Sequence, residues 1–204
     1  MPLPGWPVVL RDGPVGLRPL RWRDAGAWSQ VRQRNADWLQ PWEATPPDEP
    51  VRLAMSPAMF VSMTAALRRQ TRAGVTLPFA VTYQDDLVGQ LTIGNIVRGS
   101  LNSAYAGYWL DRAVAGRGVM PTALALAVDH CFTVVGLHRV EANIRPENIA
   151  SRRVVEKLGF REEGLRLRYL HIDGAYRDHL CFAVTVEDVG SGLLARWRAE
   201  RLSG

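Results

Sequence analysis

Between Tyr108 and Pro121 the chain reads Tyr-Trp-Leu-Asp-Arg-Ala-Val-Ala-Gly-Arg-Gly-Val-Met-Pro. An apolar strand runs into a short loop carrying Gly116 and Gly118, and a helix then opens close to Pro121. The first backbone N–H groups of a helix have no partner inside it, and the helix dipole adds partial positive charge there. Such a turn can hold a phosphate without a lysine, and glycines let the anion approach the backbone. A tight structural turn has the same composition, so this segment alone leaves both readings open. It is not a dinucleotide fingerprint, which needs a third glycine, nor a Walker A loop, which needs Gly-Lys-Ser/Thr.

A second segment decides between them. Arg145-Pro146-Glu147-Asn148-Ile149-Ala150-Ser151-Arg152-Arg153-Val154-Val155-Glu156-Lys157-Leu158-Gly159-Phe160 resembles the P-x-N-x-x-S-x-x-V-x-E-K-x-G-F stretch of GNAT superfamily N-acetyltransferases. Its distance after the glycine loop also fits that family. The resemblance spans roughly residues 15–186. Leu17-Arg18-Pro19-Leu20, then Asn35, Trp38-Leu39 and Pro41-Trp42-Glu43, and Asp178-His179 look like the RimJ/RimL branch, the ribosomal-protein-alanine type. Jointly these motifs are specific; singly none is.

The resemblance implies an α/β GNAT fold: a mixed, mostly antiparallel sheet of about seven strands with about four flanking helices. The sheet would be splayed between its fourth and fifth strands, here about 104–110 and 138–144. Acetyl-CoA would be the cofactor, its pantetheine arm bonded to the backbone near Trp109 and Leu110. Its pyrophosphate would sit on the amides of Ala115, Gly116, Arg117, Gly118, Val119 and Met120. The superfamily pattern Q/R-x-x-G-x-G/A is broken at both ends, by Ala115 and Met120. Backbone amides do most of this work, so binding is expected to survive.

Asn148 suits a helix cap, and by resemblance it also touches the CoA arm. Ser151 either bonds back to a carbonyl one turn earlier or, as in the RimL branch, protonates the departing thiolate. Many GNAT enzymes place a tyrosine four residues later for that task, where this chain has Val155. Glu141 resembles the glutamate base of RimI-type enzymes, and equally suits a salt bridge with Arg139 or another arginine. His179 and Tyr105 are weaker base or substrate candidates. An α-amine has a pKa near 8 against about 10.4 for lysine, so the base need not be strong. By resemblance Trp38 and Trp42 wall the acceptor cleft, although two tryptophans at this spacing also suit a core. Glu43 could offer an ammonium a counter-charge or sit in solvent. Arg166, Arg168 and Arg177 read as a solvent-facing row or as lining of the last hairpin.

Alternating and helical patterns supply the frame for these residues. Val15–Leu20 reads as a first strand and Asp24–Arg34 as a helix, with 35–43 irregular and a Pro-rich stretch at 46–50. Ser56-Pro57 caps a helix running to about Arg72. Leu77–Tyr83 and Leu87–Val97 flank a turn at Gln84-Asp85-Asp86, and Ser103–Leu110 follows as a strand. Met120, Leu124, Val128, Cys131 and Val135 share a helical face. His138–Ile144 alternates as a strand, and Asn148–Leu158 reads as a helix stopped by Gly159. Leu165–Ile172 and Arg177–Val186 pair through Asp173-Gly174. A terminal helix over 193–202 closes a single domain of 1–204, with its core at 15–186 and a tail at 187–204. The order indicates a mixed α/β domain with one central sheet.

At 204 residues and 47% hydrophobic, the chain can bury a full core. Its longest apolar runs, such as 123–128, fall well short of the roughly 20 residues of a membrane span. Met1-Pro2-Leu3-Pro4-Gly5 shows no signal-peptide pattern, so a cytoplasmic protein is expected. Cys131 and Cys181 are the only cysteines, and His130, His138, His171 and His179 form no ligand spacing, so no metal is expected. The net charge of +5 is almost all arginine, scattered along the chain, with Lys157 the only lysine. A basic surface suits a polyanionic cofactor or a substrate carried on RNA. The RimJ/RimL resemblance implies a protein N-terminus or peptide as partner, a ribosomal protein among the candidates, and ribosome association would give the positive charge a use. Rival readings are acyl transfer to a lysine side chain or a small amine, and a weakly catalytic CoA-binding or RNA-binding module. Oligomeric state is not legible.

Overall fold

Eight strands form one sheet in the computed structural model, which describes residues 3–47 and 56–203. They are β1 (Leu10–Asp12), β2 (Val15–Pro19), β3 (Leu77–Tyr83), β4 (Asp86–Val97), β5 (Ser103–Leu110), β6 (Arg139–Ile144), β7 (Arg161–Ile172) and β8 (Ala175–Thr185). Their spatial order is β1-β2-β3-β4-β5-β6-β8-β7. Every neighbouring pair is antiparallel except β5 and β6. Both hairpin turns read from the sequence form with left-handed residues: Gln84 and Asp85 at φ 52° and 69°, and Asp173 and Gly174 at 48° and 78°. That handedness matches the strand twist.

The four expected flanking helices are α1 (Ala25–Arg34), α3 (Pro57–Arg72), α4 (Val119–His130) and α5 (Ile149–Lys157). Single turns α2 (Ala36–Leu39) and α6 (Val186–Val189) and the terminal α7 (Leu193–Ser203) complete the set among the described residues. Ser56 Oγ accepts from Met59 N at 3.2 Å and starts α3 as its sequence implied. The expected Pro-rich stretch at 46–50 lies partly outside the described residues.

Two differences from the expected frame have plain causes. The sheet gains a strand because Leu10–Asp12 folds back on β2 through Gly13, and three residues are too few to show a period. The expected fourth and fifth strands are therefore the fifth and sixth. Strand β7 begins at Arg161 rather than Leu165, since Arg161-Glu162-Glu163-Gly164 has no apolar alternation and is held by pairing with β8.

Helix α4 explains the layering. It is buried all round from Val119 to Val128, which only a helix covered on both sides can be. The sheet covers one side, with Leu91, Ile93, Ala104, Val140 and Val184 in the same core cluster. Leu193 and Trp197 of α7, exposed by 0% and 6%, belong to that cluster too. On the other sheet face α1 and α3 close a smaller core of Leu20, Trp28, Val31, Phe60, Ala80 and Leu87.

The parallel pair β5–β6 pairs only at Ser103↔Arg139, Ala104↔Val140 and Tyr105↔Glu141. Both strands continue, to Leu110 and Ile144, paired with β4 and β8 but no longer with each other. The sheet thus opens into a wedge whose walls are strand backbones with unspent hydrogen-bonding groups.

Candidate active site

A cavity of about 820 Å³ lies at this wedge. The loop after β5 lines it with Ala115, Gly116 and Gly118. Asp111 caps that loop by accepting from Ala113 N at 3.1 Å, and Asn35 bridges to it. Asn35 Nδ2 donates to Asp111 Oδ1 at 2.9 Å, and Arg112 N donates to Asn35 Oδ1 at 3.0 Å. Burial works against the Asp111 carboxylate, but bonds from Arg34 and Asn35 hold its pKa below the ordinary value. Gly116 and Gly118 then take φ values of 78° and 79°, which L side chains rarely adopt. The expected run of amides from Ala115 to Met120 is shorter by one, because Ala115 N donates to Arg112 O at 3.1 Å. Among the described residues no N–H from Gly116 to Met120 has an intramolecular acceptor, and Pro121 has none to place. Five successive free donors at the start of α4 fit a pyrophosphate.

Across the wedge, Asn148 Oδ1 accepts from Ser151 N at 3.0 Å and starts α5. Ser151 lines the cavity, and its carbonyl accepts from Tyr108 Oη at 3.2 Å. Burial pushes the Tyr108 phenol above its ordinary pKa, so it stays protonated. Val155 is fully buried in the core, one turn below Ser151. Trp109, Leu110, Ala115, Gly116, Gly118, Val119, Met120, Asn148 and Ser151 all line the cavity. Arg117 does not; its backbone joins the free-donor run while its side chain is exposed.

The cavity is also lined by aromatic side chains. Trp38 and Trp42, both partly buried, line it with Trp28, Met59 and Met63. Arg112 lies over the Trp38 ring at 5.4 Å and Arg145 over the Trp42 ring at 5.4 Å. Arg145 Nη1 also donates to Pro41 O at 2.9 Å, and Thr45 N to His171 O at 3.0 Å, tying this loop to the β6–α5 connection and to β7. Glu43 lines the cavity, but it is paired with Arg32 rather than free to meet a cation. Arg32 lies between Trp28 and Trp109, 5.6 Å and 5.0 Å from their ring centroids. Desolvation lowers its pKa to about 10, which still leaves it charged at neutral pH.

Glu141 and Tyr105 are adjacent across β5 and β6 but outside the cavity lining. Glu141, 7% exposed, accepts from Arg139 Nε at 2.8 Å and Arg166 Nη2 at 3.1 Å. Tyr105 bonds to the same Arg166, which stacks on Tyr169. His179 is buried, and its Nδ1 bonds Arg177 O at 3.0 Å. Arg168 is exposed, and Arg177 folds back on the hairpin carbonyls of Ile172 and Asp173. Both cysteines are buried, which pushes the Cys131 thiol up to about 12 and also raises Cys181, so both favour the thiol form over the thiolate. The described residues contain no cluster of three or more metal-ligating side chains and no helix long and apolar enough to cross a membrane.

Sequence reasoning missed Trp28, Arg32, Met59 and Met63 as cavity residues, because their helices carried no motif there, and took Tyr108 only as the start of the strand that leads into the glycine loop. Gln90 and Thr92 left a trace: two polar residues at period two, alternating with Leu91 and Ile93 in an apolar strand. Gln90 accepts from Trp28 Nε1 at 3.0 Å, a buried bond that fixes the indole at the cavity wall.

Comparisons agree with this geometry. The family model for the acetyltransferase (GNAT) domain matches residues 15–161. The [Ribosomal protein uS5]-alanine N-acetyltransferase of Escherichia coli is 31% identical, covering 89% of this chain and 92% of that protein. The probable N-acetyltransferase YjcK of Bacillus subtilis is 30% identical, covering 88% and 98%. Mycobacterium smegmatis RimJ, solved in complex with CoA-disulfide, is 45% identical with a TM-score of 0.91 over 97% of each chain. With the family match, the splayed sheet and the free-amide loop all in register, this chain belongs to the GNAT acetyltransferase family and takes acetyl-CoA as its cosubstrate.

Proposed function

We propose that the enzyme acetylates the N-terminal α-amine of a protein, by direct attack of the amine in a ternary complex. The observation that carries this reading is one cavity lined both by the free-amide loop and by Trp38, Trp42 and Met59. Both reactants can then meet in the wedge, where orientation itself lowers the barrier. The relatives named for ribosomal-protein alanine support a protein acceptor, with a ribosomal protein as the candidate.

In this reading the amides of Gly116 to Met120 hold the pyrophosphate, and the β5 backbone edge that β6 leaves open near Trp109 and Leu110 aligns the pantetheine arm. Acetyl-CoA supplies the activated thioester. As the amine nitrogen bonds the acetyl carbon, the carbon–sulfur bond breaks, the nitrogen sheds a proton and the sulfur gains one. We assign Ser151 Oγ as the donor to that sulfur, since Val155 leaves no tyrosine on α5 to do so. Glu141 we assign to positioning β6 against β7 through its two arginines. Among the described lining residues the sole carboxylate is Glu43, already paired with Arg32. The amine therefore arrives neutral in proportion to its own pKa. We expect kcat/KM for a peptide to rise with pH through about 8, the α-amine value. A plateau already reached at pH 6 would instead require an enzyme base.

The deciding experiment is mass spectrometry of the purified protein with acetyl-CoA and a peptide panel. The panel carries free Ala, Ser and Met N-termini, and blocked N-termini with internal lysine. One acetyl group on the free N-termini alone supports the proposal. Modification of the blocked peptides moves the acceptor to lysine. No peptide product with intact acetyl-CoA binding leaves small amines as acceptors.

A further inference from the structure

Helix α7 lies beyond the family match at 15–161, yet it reaches the phosphate end of the site. It runs antiparallel to α4. Asp129, near the end of α4, accepts from Leu193 N at 2.7 Å and from Leu194 N at 3.0 Å, so α7 starts there. Trp197 Nε1 donates to Thr122 Oγ1 at 2.9 Å, in the first turns of α4. One turn further on, Arg201 sits beside Gly118, the residue that opens α4. Its guanidinium lies 5.7 Å from the Trp197 ring centroid. A Cβ on Gly118 would be 3.4 Å from Arg201 Nη1 and 3.4 Å from Trp197 Cζ2. Among the described residues no carboxylate is within ion-pair distance of Arg201.

Two physical arguments converge on this cation. The C-terminal end of α7 brings partial negative charge to the mouth of an anion site, which Arg201 in the last turn offsets. The loop itself has Ala115 where the superfamily pattern places a polar Gln or Arg. We propose that Arg201 is a phosphate-binding residue of the CoA site, delivered by the C-terminal helix. The proposal rests on the placement of the cofactor phosphates at Gly116 to Met120. A guanidinium offers several donors in a fixed fork, suited to phosphate oxygens. Both the pyrophosphate and the ribose 3′-phosphate of CoA present that chemistry.

The test is calorimetric titration of the full-length protein with CoA and with dephospho-CoA, for wild type, Arg201→Gln, Arg201→Lys and Gly116→Val. Arg201→Gln should raise the Kd for CoA about tenfold, the scale of a lost charge-assisted bond, with an unchanged melting temperature. Arg201→Lys should recover most of that loss. If the penalty persists with dephospho-CoA, the pyrophosphate is the partner; if it disappears, the 3′-phosphate is. A Kd within twofold of wild type for Arg201→Gln, while Gly116→Val abolishes binding, overturns the proposal alone. A melting-temperature loss that Arg201→Lys does not recover also overturns it, in favour of a packing role. Retained CoA affinity in Gly116→Val overturns the loop placement and this proposal with it.

Discussion

Ser151 and Glu141 were both candidates for proton transfer, and their surroundings separate them. Ser151 lines the cavity at the start of α5, where a hydroxyl can serve a departing thiolate. We expect Ser151→Ala to lower kcat about 100-fold, in the range of lost general-acid catalysis, with little change in the KM for acetyl-CoA. An unchanged kcat in steady-state assays would return the residue to a structural role. Glu141 is buried between Arg139 and Arg166 outside the cavity. Glu141→Gln should therefore cost about 2 kcal/mol of stability in urea unfolding, the scale of charge-assisted bonds lost in a buried site. Its pH–rate profile should match wild type; a profile shifted at low pH would restore Glu141 as base. Gly118 carries a similar lesson. Its missing Cβ points at Arg201 and Trp197, so an aspartate there would reach for the arginine as well as strain a left-handed backbone.

Elements turn these residues into a site by bracing the free-amide loop from both faces of the sheet. Asn35, at the end of α1, bonds both Asp111 and Arg112 and thereby shapes the approach to the free-amide loop. Asp129 does the same for the other flank by starting α7. Removing that cap with Asp129→Ala should cost about 1 kcal/mol, a typical value for a lost N-cap. If α7 positions Arg201, the same variant should also weaken CoA binding severalfold without lowering kcat at saturating acetyl-CoA. Stability loss with unaltered CoA affinity would show that α7 only buttresses α4.

The molecule as a whole contains two buried histidines, and their effect on stability has a defined sign. Burial lowers the pKa of both His130 and His179, so each stays neutral in the fold where the unfolded chain would take a proton. Their contribution is present above about 6.5, the unfolded value, and is lost as pH falls below it. The depressed carboxylates Asp111, Glu163 and Asp188 act in a lower window, below about 4. We expect the melting temperature to fall between pH 7.5 and 5.5, and to fall less in His130→Leu. Equal falls in the two proteins would remove His130 from the account. His130 suits this substitution because it is 5% exposed and its Nε2 has no partner.

What the sequence determined by itself was the frame and the cofactor end of the site. Strands β3 to β6, the cap at Ser56 and the Asp173-Gly174 turn follow from local patterning. The loop from Gly116 to Met120 and the Asn148–Ser151 segment follow from contiguous motifs whose chemistry is largely backbone chemistry, while the spent N–H of Ala115 does not. Short-range pattern suffices there because a turn or a helix start is built from neighbours along the chain. The tertiary structure decided what depends on distant partners. Pairing of β1 and the first residues of β7 depends on the adjacent strand, not on their own alternation. Glu43 became the partner of Arg32, and Glu141 of Arg139 and Arg166, because an ion pair forms between whichever charges folding brings within reach. The tail read as an appendage became the cover of α4, since burial of Leu193 and Trp197 needs a surface that exists only once the sheet and α4 have assembled.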